Sequence, residues 1–401
     1  MRSSNGLSRG SMLDRPRAMC YTDLWKPDVS ANRIATRRRT LKIVVLGGYG
    51  DMGQGAVQDL IAHTDAEVVI ADYRVEGAKA YAAQLDPRAT AVFVDANDPS
   101  SLASVLQGAN AAVGAIGPFY RYAPKMATAA VKAGVNYVDI CDDYGPIGEV
   151  FGLDAAAKAA GVTLITGLGW TPGITNLMCR LGASRLDSVD KIKVSWAGGA
   201  EDSQGLAVVM HVFYAVTGKV PTYRDGQWVD VEAGSGKEPV DFGGALGTVK
   251  VFHCGHPEPM TVPRYIQVRD VSLKGALTPE WNNGLAEVFV KLGLTSTPGR
   301  IETVSKVIHK VEHLLGAGGV PLSGARVDVI GEKGGEPCTY TYRTVDKMKR
   351  LTGIPAAIGG WMLAQDQVKA KGVYAPEGCL EPELFFAELA KRDIKIEEWV
   401  H

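Results

Sequence analysis

The sequence has little net charge, no long apolar run and no paired cysteines. Its 43 lysines and arginines nearly balance 44 aspartates and glutamates, so we do not expect a nucleic-acid-binding protein held by a basic field. The apolar runs are shorter than the ~18 residues that span a bilayer, and we expect no membrane segment. The six cysteines form no C-x-x-C pair. That excludes the disulfide framework of small secreted domains and favours reduced thiols in a cytoplasmic protein.

Glycine, in contrast, is abundant. The 401 residues include 47 glycines, which is well above the usual share of about 7%. The chain has no G-X-Y repeat, so a collagen-like protein is excluded. A chain of this length is expected to form two or three domains of roughly 100–200 residues each. The positions of the glycines are therefore more informative than their number.

The first ordered segment is predicted to be a strand, a glycine loop and a helix. Leu41–Leu46 is apolar and β-branched, and the motif Gly48-x-Gly50-x-x-Gly53 follows it directly. A second apolar strand ends in Asp72, at about the 20-residue offset of a ribose-binding acid. Strands and helices then alternate through the first half of the chain. This pattern predicts an α/β fold, a doubly wound parallel sheet of the Rossmann type that binds a dinucleotide.

Each residue of the glycine loop has a physical role in such a site. Gly48 permits the tight turn, Gly50 lets the backbone approach the pyrophosphate, and Gly53 lets the helix pack on the strand. The N–H groups at the start of the helix face the phosphates. Asp72 accepts hydrogen bonds from the ribose hydroxyls, which favours NAD. Arg74 could pair with a 2′-phosphate, so NADP stays open.

Two later loops complete the predicted cofactor site. Asp95 follows the third predicted strand near the adenine position, although a turn carboxylate is the alternative interpretation. Gly117 follows the fourth strand, where we expect the nicotinamide ribose. The predicted cofactor-binding residues are Gly48, Tyr49, Gly50, Asp51, Met52, Gly53, Asp72, Asp95, Ala96, Gly117 and Pro118.

After Gly173 the pattern changes to shorter strands separated by proline and glycine clusters. Ile192–Trp196 alternates as a half-buried strand does, and Tyr265–Val268 also looks like a strand. Two helical stretches, 206–217 and 284–315, interrupt the strands, and the tail is helical again. We expect a mixed α+β second domain, with C-terminal helices that return to the first domain.

Five motifs in this order resemble the saccharopine dehydrogenase / saccharopine reductase family, and the likeness covers nearly everything from Leu41 on. They are Gly47–Gly53, Gly117–Phe119, Ala133–Asp139, Trp170–Asn176 and Gly372–Glu383. The stretches His211–Phe213 and Tyr223–Gln227 are most similar to the L-lysine 6-dehydrogenase type. The family's Asp-x-x-Gly-Glu segment reads Asp139-Ile-Cys-Asp-Asp143 here.

The resemblance implies an activity and an organisation. It implies hydride transfer at a C–N bond of an amino acid or polyamine, and a homodimer formed through the second domain. The expected parts are 1–40, a flexible extension; 41–178, the Rossmann domain; 179–345, the α+β catalytic and dimerisation domain; and 346–401, C-terminal helices that pack on the Rossmann domain.

The candidate catalytic residues are His211, Tyr120 and Asp142. Oxidation of an amine needs a base, usually a histidine with a pKa near 7. His211 lies on a predicted helix among apolar neighbours, so a buried structural histidine is the alternative. Tyr120 and Arg121 could reach a substrate carboxylate, or form a surface loop. Asp142 and Asp143 follow the fifth strand at its carboxyl end, where ligands bind in such sheets, unless they are a solvated turn.

Two histidine groups resemble metal sites but lack complete ligand sets. His309-Lys-Val-Glu-His313 has the H-x-x-E-H spacing, and His253 and His256, with Glu258, form a second group in a turn. Neither group has a complete ligand set, so we predict no metal. A substrate-binding role for His253 or His256 is the preferred alternative.

Together these observations predict an NAD(P)-dependent oxidoreductase that acts at the C–NH bond of an amino acid such as lysine. Two alternatives stay open. One is reductive condensation of an amine with a keto acid or aldehyde, of the saccharopine or carboxynorspermidine type. The other is a regulatory protein that binds NAD without turnover.

Overall fold

The structure is a computed structural model, and it describes residues 19–20, 40–202, 205–315 and 319–401. Most of the expected extension, residues 1–40, lies outside the described residues. In the first half the elements are β1 (Met19–Cys20), β2 (Lys42–Leu46), α1 (Asp51–His63), β3 (Glu67–Asp72), α2 (Val75–Ala83), β4 (Ala89–Phe93), α3 (Pro99–Leu106), β5 (Ala111–Gly114), α4 (Phe119–Ala133), β6 (Asn136–Asp139), α5 (Ile147–Phe151), α6 (Asp154–Ala160), β7 (Thr163–Ile165) and α7 (Ile174–Ala183).

The second half continues in chain order. Its elements are β8 (Ser188–Gly199), α8 (Leu206–Ala215), β9 (Lys219–Arg224), β10 (Gln227–Glu232), β11 (Glu238–Asp241), β12 (Thr248–His253), α9 (Glu258–Tyr265), β13 (Asp270–Thr278), α10 (Trp281–Lys291), α11 (Pro298–Leu315), β14 (Ser323–Lys333), β15 (Glu336–Asp346), α12 (Met348–Ala364), β16 (Gly372–Tyr374), α13 (Pro376–Cys379), α14 (Pro382–Ala390) and β17 (Glu397–Val400).

The first sheet is parallel and has the order β16-β7-β6-β5-β2-β3-β4. Its central strands are buried along nearly their whole length, as expected for a sheet covered by helices on both faces. The strand order reverses between β2 and β5, and the crevice at such a switch point is where ligands bind in this fold. The predicted doubly wound sheet is confirmed.

The second sheet is mixed. Its main path runs β1-β17-β15-β14-β8-β13-β12-β11. Strand β8 pairs in parallel with β13 and antiparallel with β14, so it is central. The expected strand Tyr265–Val268 was wrong, because Glu258–Tyr265 is helix α9, which begins with a proline in its first turn. The expected boundary between residues 178 and 179 falls inside helix α7.

The C-terminal segment returns to the first sheet, as predicted. Helices α1 and α12 touch through their backbones: a Cβ on Gly55 would lie 2.6 Å from the Lys349 carbonyl oxygen, and one on Gly353 would lie 2.7 Å from the Ala56 nitrogen. The segment is not helical only, however. Strand β16 extends the first sheet beside β7, and β17 joins the second sheet beside β15. No helix among the described residues is long and apolar enough to cross a bilayer.

A buried ion pair also holds this segment in place. Arg392, which follows α14, donates from Nε to both oxygens of Asp59 on α1, at 2.8 and 3.1 Å. Both side chains are at most 5% exposed. Because neither charge reaches bulk water, each depends on the other for its stabilisation.

We expect Arg392→Ala to lower the free energy of unfolding by about 3–5 kcal/mol, since it removes the buried partner of Asp59 and leaves this carboxylate only the partly exposed His63. Urea denaturation measures this loss. The matched control is Arg269→Ala, which removes an exposed arginine paired with Asp190 and Asp270 and should cost at most about 1 kcal/mol. Equal losses in the two variants would contradict the role of the buried pair.

Candidate active site

A cleft of about 1180 Å³ runs along the carboxyl ends of the first sheet's strands. Strand order fixes the sequence of residues along it: Asp72 ends β3, the glycine loop follows β2, Gly117 follows β5 and Asp142 follows β6. His211 on α8 lines the cleft as well. One continuous space therefore connects the predicted cofactor residues with two of the three predicted catalytic residues.

The glycine loop has the geometry that its motif predicts. Gly50 lines the cleft and stands immediately before helix α1, whose first N–H groups point into the loop. A Cβ on Gly53 would lie 2.1 Å from the Gly47 carbonyl oxygen, so only glycine permits this close approach of helix and loop. Gly48 and Gly53 shape the turn, whereas Tyr49, Gly50, Asp51 and Met52 line the cleft. The loop fits a pyrophosphate.

Asp72, the last residue of β3, is fixed by two backbone hydrogen bonds. Its two oxygens accept hydrogen bonds from the backbone N–H groups of Tyr49 (3.2 Å) and Arg74 (2.9 Å). The Arg74 side chain is 64% exposed, and its guanidinium carbon lies 4.8 Å from the centre of the Tyr49 ring. A carboxylate and a cation thus stand side by side where the adenosine ribose is expected, so this end of the cleft suits either form of the dinucleotide.

The remaining predicted cofactor residues, Asp95, Ala96, Gly117 and Pro118, also line the cleft. Strand β4 ends at Phe93 rather than at Asp95. Asp95 accepts a hydrogen bond from the Asn97 backbone N–H at 2.8 Å, so the carboxylate organises a turn while it borders the cleft. Asp95 can therefore be both a turn carboxylate and a residue near the adenine position.

Tyr120 occupies a different place from the one expected. Its ring stacks on Tyr214, with ring centres 4.8 Å apart, and its hydroxyl is buried. Its backbone N–H, not its phenol, reaches the site, because it donates to Asp143 Oδ2 at 2.8 Å. Arg121 pairs with Glu302 on α11 at 2.9 Å. Neither Tyr120 nor Arg121 borders the cleft, because α4 begins at Phe119 and its first turn directs them elsewhere.

His211 lies between two carboxylates. Its Nδ1 is 2.9 Å from Asp143 Oδ1 and 3.3 Å from Asp142 Oδ1. Asp143 is fully buried, whereas Asp142 keeps 29% of its side chain exposed and borders the cleft. Burial lowers the pKa of His211, but the charges of Asp142 and Asp143 outweigh it and raise the pKa to about 9. Burial raises the pKa of Asp142.

A second histidine completes the site, and sequence analysis indicated it only as one of two substrate-binding candidates. His256 Nε2 lies 3.3 Å from His211 Nε2, and both rings border the cleft. Burial and the nearby charge of His211 lower the pKa of His256 well below 6.5. His253, the other candidate, lies on β12 and does not border the cleft. The site therefore pairs a cationic imidazole with a neutral one.

A buried carboxylate stands behind His256. Glu258 Oε2 is 3.8 Å from His256 Nδ1. Its other oxygen accepts hydrogen bonds from the hydroxyls of Thr171 (2.6 Å) and Thr175 (2.9 Å). Burial raises the pKa of Glu258 to about 7. Sequence reasoning considered Glu258 only as a possible metal ligand beside His253 and His256, and not as the carboxylate behind His256.

The same cluster also bears on metal binding. The ligand atoms of Asp142, Asp143 and His211 all lie within 4.8 Å of one another, close enough to share an ion. The hydrogen bond between His211 and Asp143 accounts for this arrangement without a metal ion. Of the other metal candidate, His309 borders the cleft, and the side chain of His313 lies outside the described residues.

Comparison with known proteins shows what this chain is similar to. Residues 43–165 match the family model of the saccharopine dehydrogenase NADP binding domain, which implies an NAD(P) cofactor. A curated relative, carboxyaminopropylagmatine dehydrogenase from Synechocystis, is 22% identical over 391 residues, which are 87% of this chain and 97% of the relative. The apo saccharopine dehydrogenase (L-Glu forming) from Saccharomyces cerevisiae has the same fold, with a TM-score of 0.67, 15% identity, and coverage of 90% of this chain and 100% of that one. The family resemblance is confirmed; the likeness to the L-lysine 6-dehydrogenase type stays a prediction.

Cofactor choice tests the ribose end of the cleft. We expect Asp72→Ala to weaken NAD binding more than NADP binding, because the carboxylate can accept hydrogen bonds from the ribose but repels a 2′-phosphate. Arg74→Ala should weaken NADP binding about tenfold or more, since a charged hydrogen bond is lost, and leave NAD binding nearly unchanged. Titration of each cofactor by protein fluorescence measures both effects. Equal losses for NAD and NADP in both variants would contradict this assignment of the ribose end.

The charge on His211 can be tested without a substrate. We expect the His211 resonances in NMR to titrate near pH 9, and those of His256 to show a neutral ring at pH 7. Asp143→Asn should lower the pKa of His211 by about one pH unit or more, because a nearby negative charge is removed. The control is Asp366→Asn, a surface carboxylate paired with Lys369 and Lys371. An unchanged His211 titration in Asp143→Asn would show that Asp143 does not set the charge.

Proposed function

We propose that the protein is an NAD(P)-dependent oxidoreductase that transfers hydride at the C–N bond of an amino acid such as lysine. The observation that carries this proposal is the position of His211 and its carboxylates in the cofactor cleft. With the adenosine ribose held at β3 and the pyrophosphate at β2, a bound dinucleotide would have its nicotinamide end near β5 and β6, where Asp142 and His211 border the cleft. An amine bound there would meet an imidazole and a carboxylate.

The nicotinamide, when bound, accepts the hydride in oxidation and supplies it in reduction. The chain's own residues manage the proton and the charge. His211 donates from Nδ1 to Asp143, which fixes the ring and leaves Nε2 as the atom that exchanges a proton. In the oxidative direction the neutral ring accepts a proton from the substrate nitrogen. In the reductive direction the imidazolium returns it.

The raised pKa of His211 determines how each direction depends on pH. With a value of about 9, His211 is protonated at neutral pH, the form that donates a proton. We therefore expect the reductive reaction to proceed at neutral pH and to fall as the pH rises through 9. Amine oxidation should rise over the same range, because the neutral imidazole is the base.

Asp142 suits the recognition of a substrate cation. Its carboxylate keeps 29% of the side chain exposed and borders the cleft, while Oδ1 faces the His211 ring. A substrate ammonium group in the cleft can pair with the exposed part of this carboxylate, which supplies both charge pairing and orientation. His256, held neutral, is able to accept a hydrogen bond from the same substrate or from His211.

A second candidate is the reductive condensation of an amine with a keto acid or aldehyde. The curated relative favours it, because its name joins a carboxyaminopropyl group to agmatine. The His211 imidazolium would serve this reaction as a proton donor at neutral pH. The two reactions differ in their substrates and in the change of the cofactor: oxidation of one amine produces NAD(P)H, whereas condensation needs both an amine and a carbonyl compound and consumes NAD(P)H.

A substrate panel tests the function. Amines are offered with NAD or NADP, and amine and keto acid or aldehyde pairs are offered with the reduced cofactors, while absorbance at 340 nm is followed. We expect turnover in at least one series. Turnover only with pairs of substrates would favour condensation, and cofactor binding without turnover of any substrate would favour a regulatory protein.

On the best substrate, His211→Asn should reduce kcat/KM by about 10²–10⁴-fold, the usual contribution of a positioned acid or base. The matched control is His401→Asn at the exposed C-terminal residue, which should retain full activity. If His211→Asn also retained full kcat/KM, the proposed role of His211 in proton transfer would be wrong.

A further inference from the structure

A second cavity of about 570 Å³ adjoins the cofactor cleft at His211. It is enclosed by α8, α10 and the strands β12 and β13. Four residues line both this cavity and the cofactor cleft: Trp196, His211, Val212 and Leu277. The two spaces therefore meet at the imidazole that is proposed to exchange the proton. The volume lies within the range of small-molecule sites, which is about 300–1000 Å³.

The inner walls of the cavity are apolar. Beyond the shared residues they include Ala215, Phe252, Ala276, Ala286 and Val290. The charged residues that line the cavity, apart from His211, are all exposed to solvent. An unbranched hydrocarbon chain is the ligand that such walls accommodate, because each buried methylene contributes hydrophobic stabilisation.

The outer rim, in contrast, is charged. Glu287 pairs with Lys291 at 2.7 Å and with Lys237 at 3.5 Å. Lys250 and Glu280 also lie at the rim, and neither forms an ion pair with another described residue. The cavity thus runs from a proton-exchanging histidine, through an apolar section, to charges of both signs in contact with solvent.

We propose that this cavity binds the unreacted arm of the amine substrate, an unbranched aliphatic chain that ends in a charged group. This inference rests on the proposed function, since it places the reacting nitrogen at His211. It also specifies the substrate class: the C–N bond lies at one end of several methylenes, and the charged far end reaches the rim. Branched or short amines leave the apolar section unfilled.

The length of the arm provides the first test. In a homologous series of n-alkylamines, α,ω-diamines and ω-amino acids, we expect kcat/KM to rise by up to about fourfold per methylene. At equal length, one of the two charged series should exceed the n-alkylamines, and its sign identifies whether Lys250 or Glu280 is used. An n-alkylamine equal to the better charged series would contradict the charged far end.

A blocked cavity provides the second test, with a matched control on the same helix. Val290 lines the cavity, whereas Val288 on α10 is 51% exposed and does not line it. Val290→Trp should abolish the dependence on chain length, and Val288→Trp should preserve it. Because the dependence is a ratio measured within one variant, a partly unfolded sample does not mimic the result. The same slope in both variants would overturn the proposal.

Failure of the cavity and failure of the proposed function give different results. Turnover that is independent of chain length leaves the function intact and rules out the cavity as the arm site. If no amine is oxidised, calorimetry with the same amines and NAD(P)⁺ still reports binding. If longer amines then bound more tightly to Val288→Trp than to Val290→Trp, the cavity would be supported as the binding site of the arm, although amine oxidation would be ruled out. No length-dependent binding would rule out the cavity as well.

Discussion

The contact between Asp143 and His211 is the constraint on which the site depends. Asp143 follows β6 of the first sheet, and His211 lies on α8, beyond the first strand of the second sheet. The same carboxylate accepts the backbone N–H of Tyr120 at the start of α4. One fully buried anion therefore fixes the end of a strand and two helices relative to one another. A buried carboxylate without these donors would be strongly destabilising, so the closure of the cleft and the charge of its histidine have a common cause.

Behind the two histidines lies a second buried network. Glu258 is bound by the Thr171 and Thr175 hydroxyls, and Asn176 donates to Glu377 at 2.9 Å. The threonines and Asn176 come from the turn before α7 and from its first residues, Glu258 begins α9 and Glu377 lies on α13. These short helices come from distant parts of the chain, and their polar side chains hydrogen-bond to one another where water is excluded, while Glu258 Oε2 and Glu377 Oε1 have no hydrogen-bond partner among the described residues. The network therefore holds His256, two residues before Glu258, against the cleft.

Local sequence signals predicted the cofactor half of the site and distant contacts determined the rest. The glycine loop and Asp72 lie within one strand–helix–strand unit, so their spacing alone specifies the geometry. The hydrogen bond between His211 and Asp143 spans 68 positions, and no periodicity in the sequence records it. Tyr120 shows that a residue next to a cofactor loop in the sequence need not enter the site. It follows the Gly-Pro-Phe turn, but the first turn of α4 directs its ring to Tyr214. Strand β16 was missed because a three-residue strand is too short to show a pattern.

The opposite pKa shifts of the two histidines follow from the order of charges across the site. His211 is adjacent to two carboxylates, so its cationic form is favoured despite burial. His256 is adjacent to that cation, while Glu258, its nearest carboxylate, lies at 3.8 Å and itself has a raised pKa. A second positive charge on His256 would be repelled and poorly compensated. The proton is therefore held on His211, the ring that borders both the cofactor cleft and the apolar cavity. A substrate nitrogen between these spaces would face a single defined donor, and His256 can assist only as an acceptor.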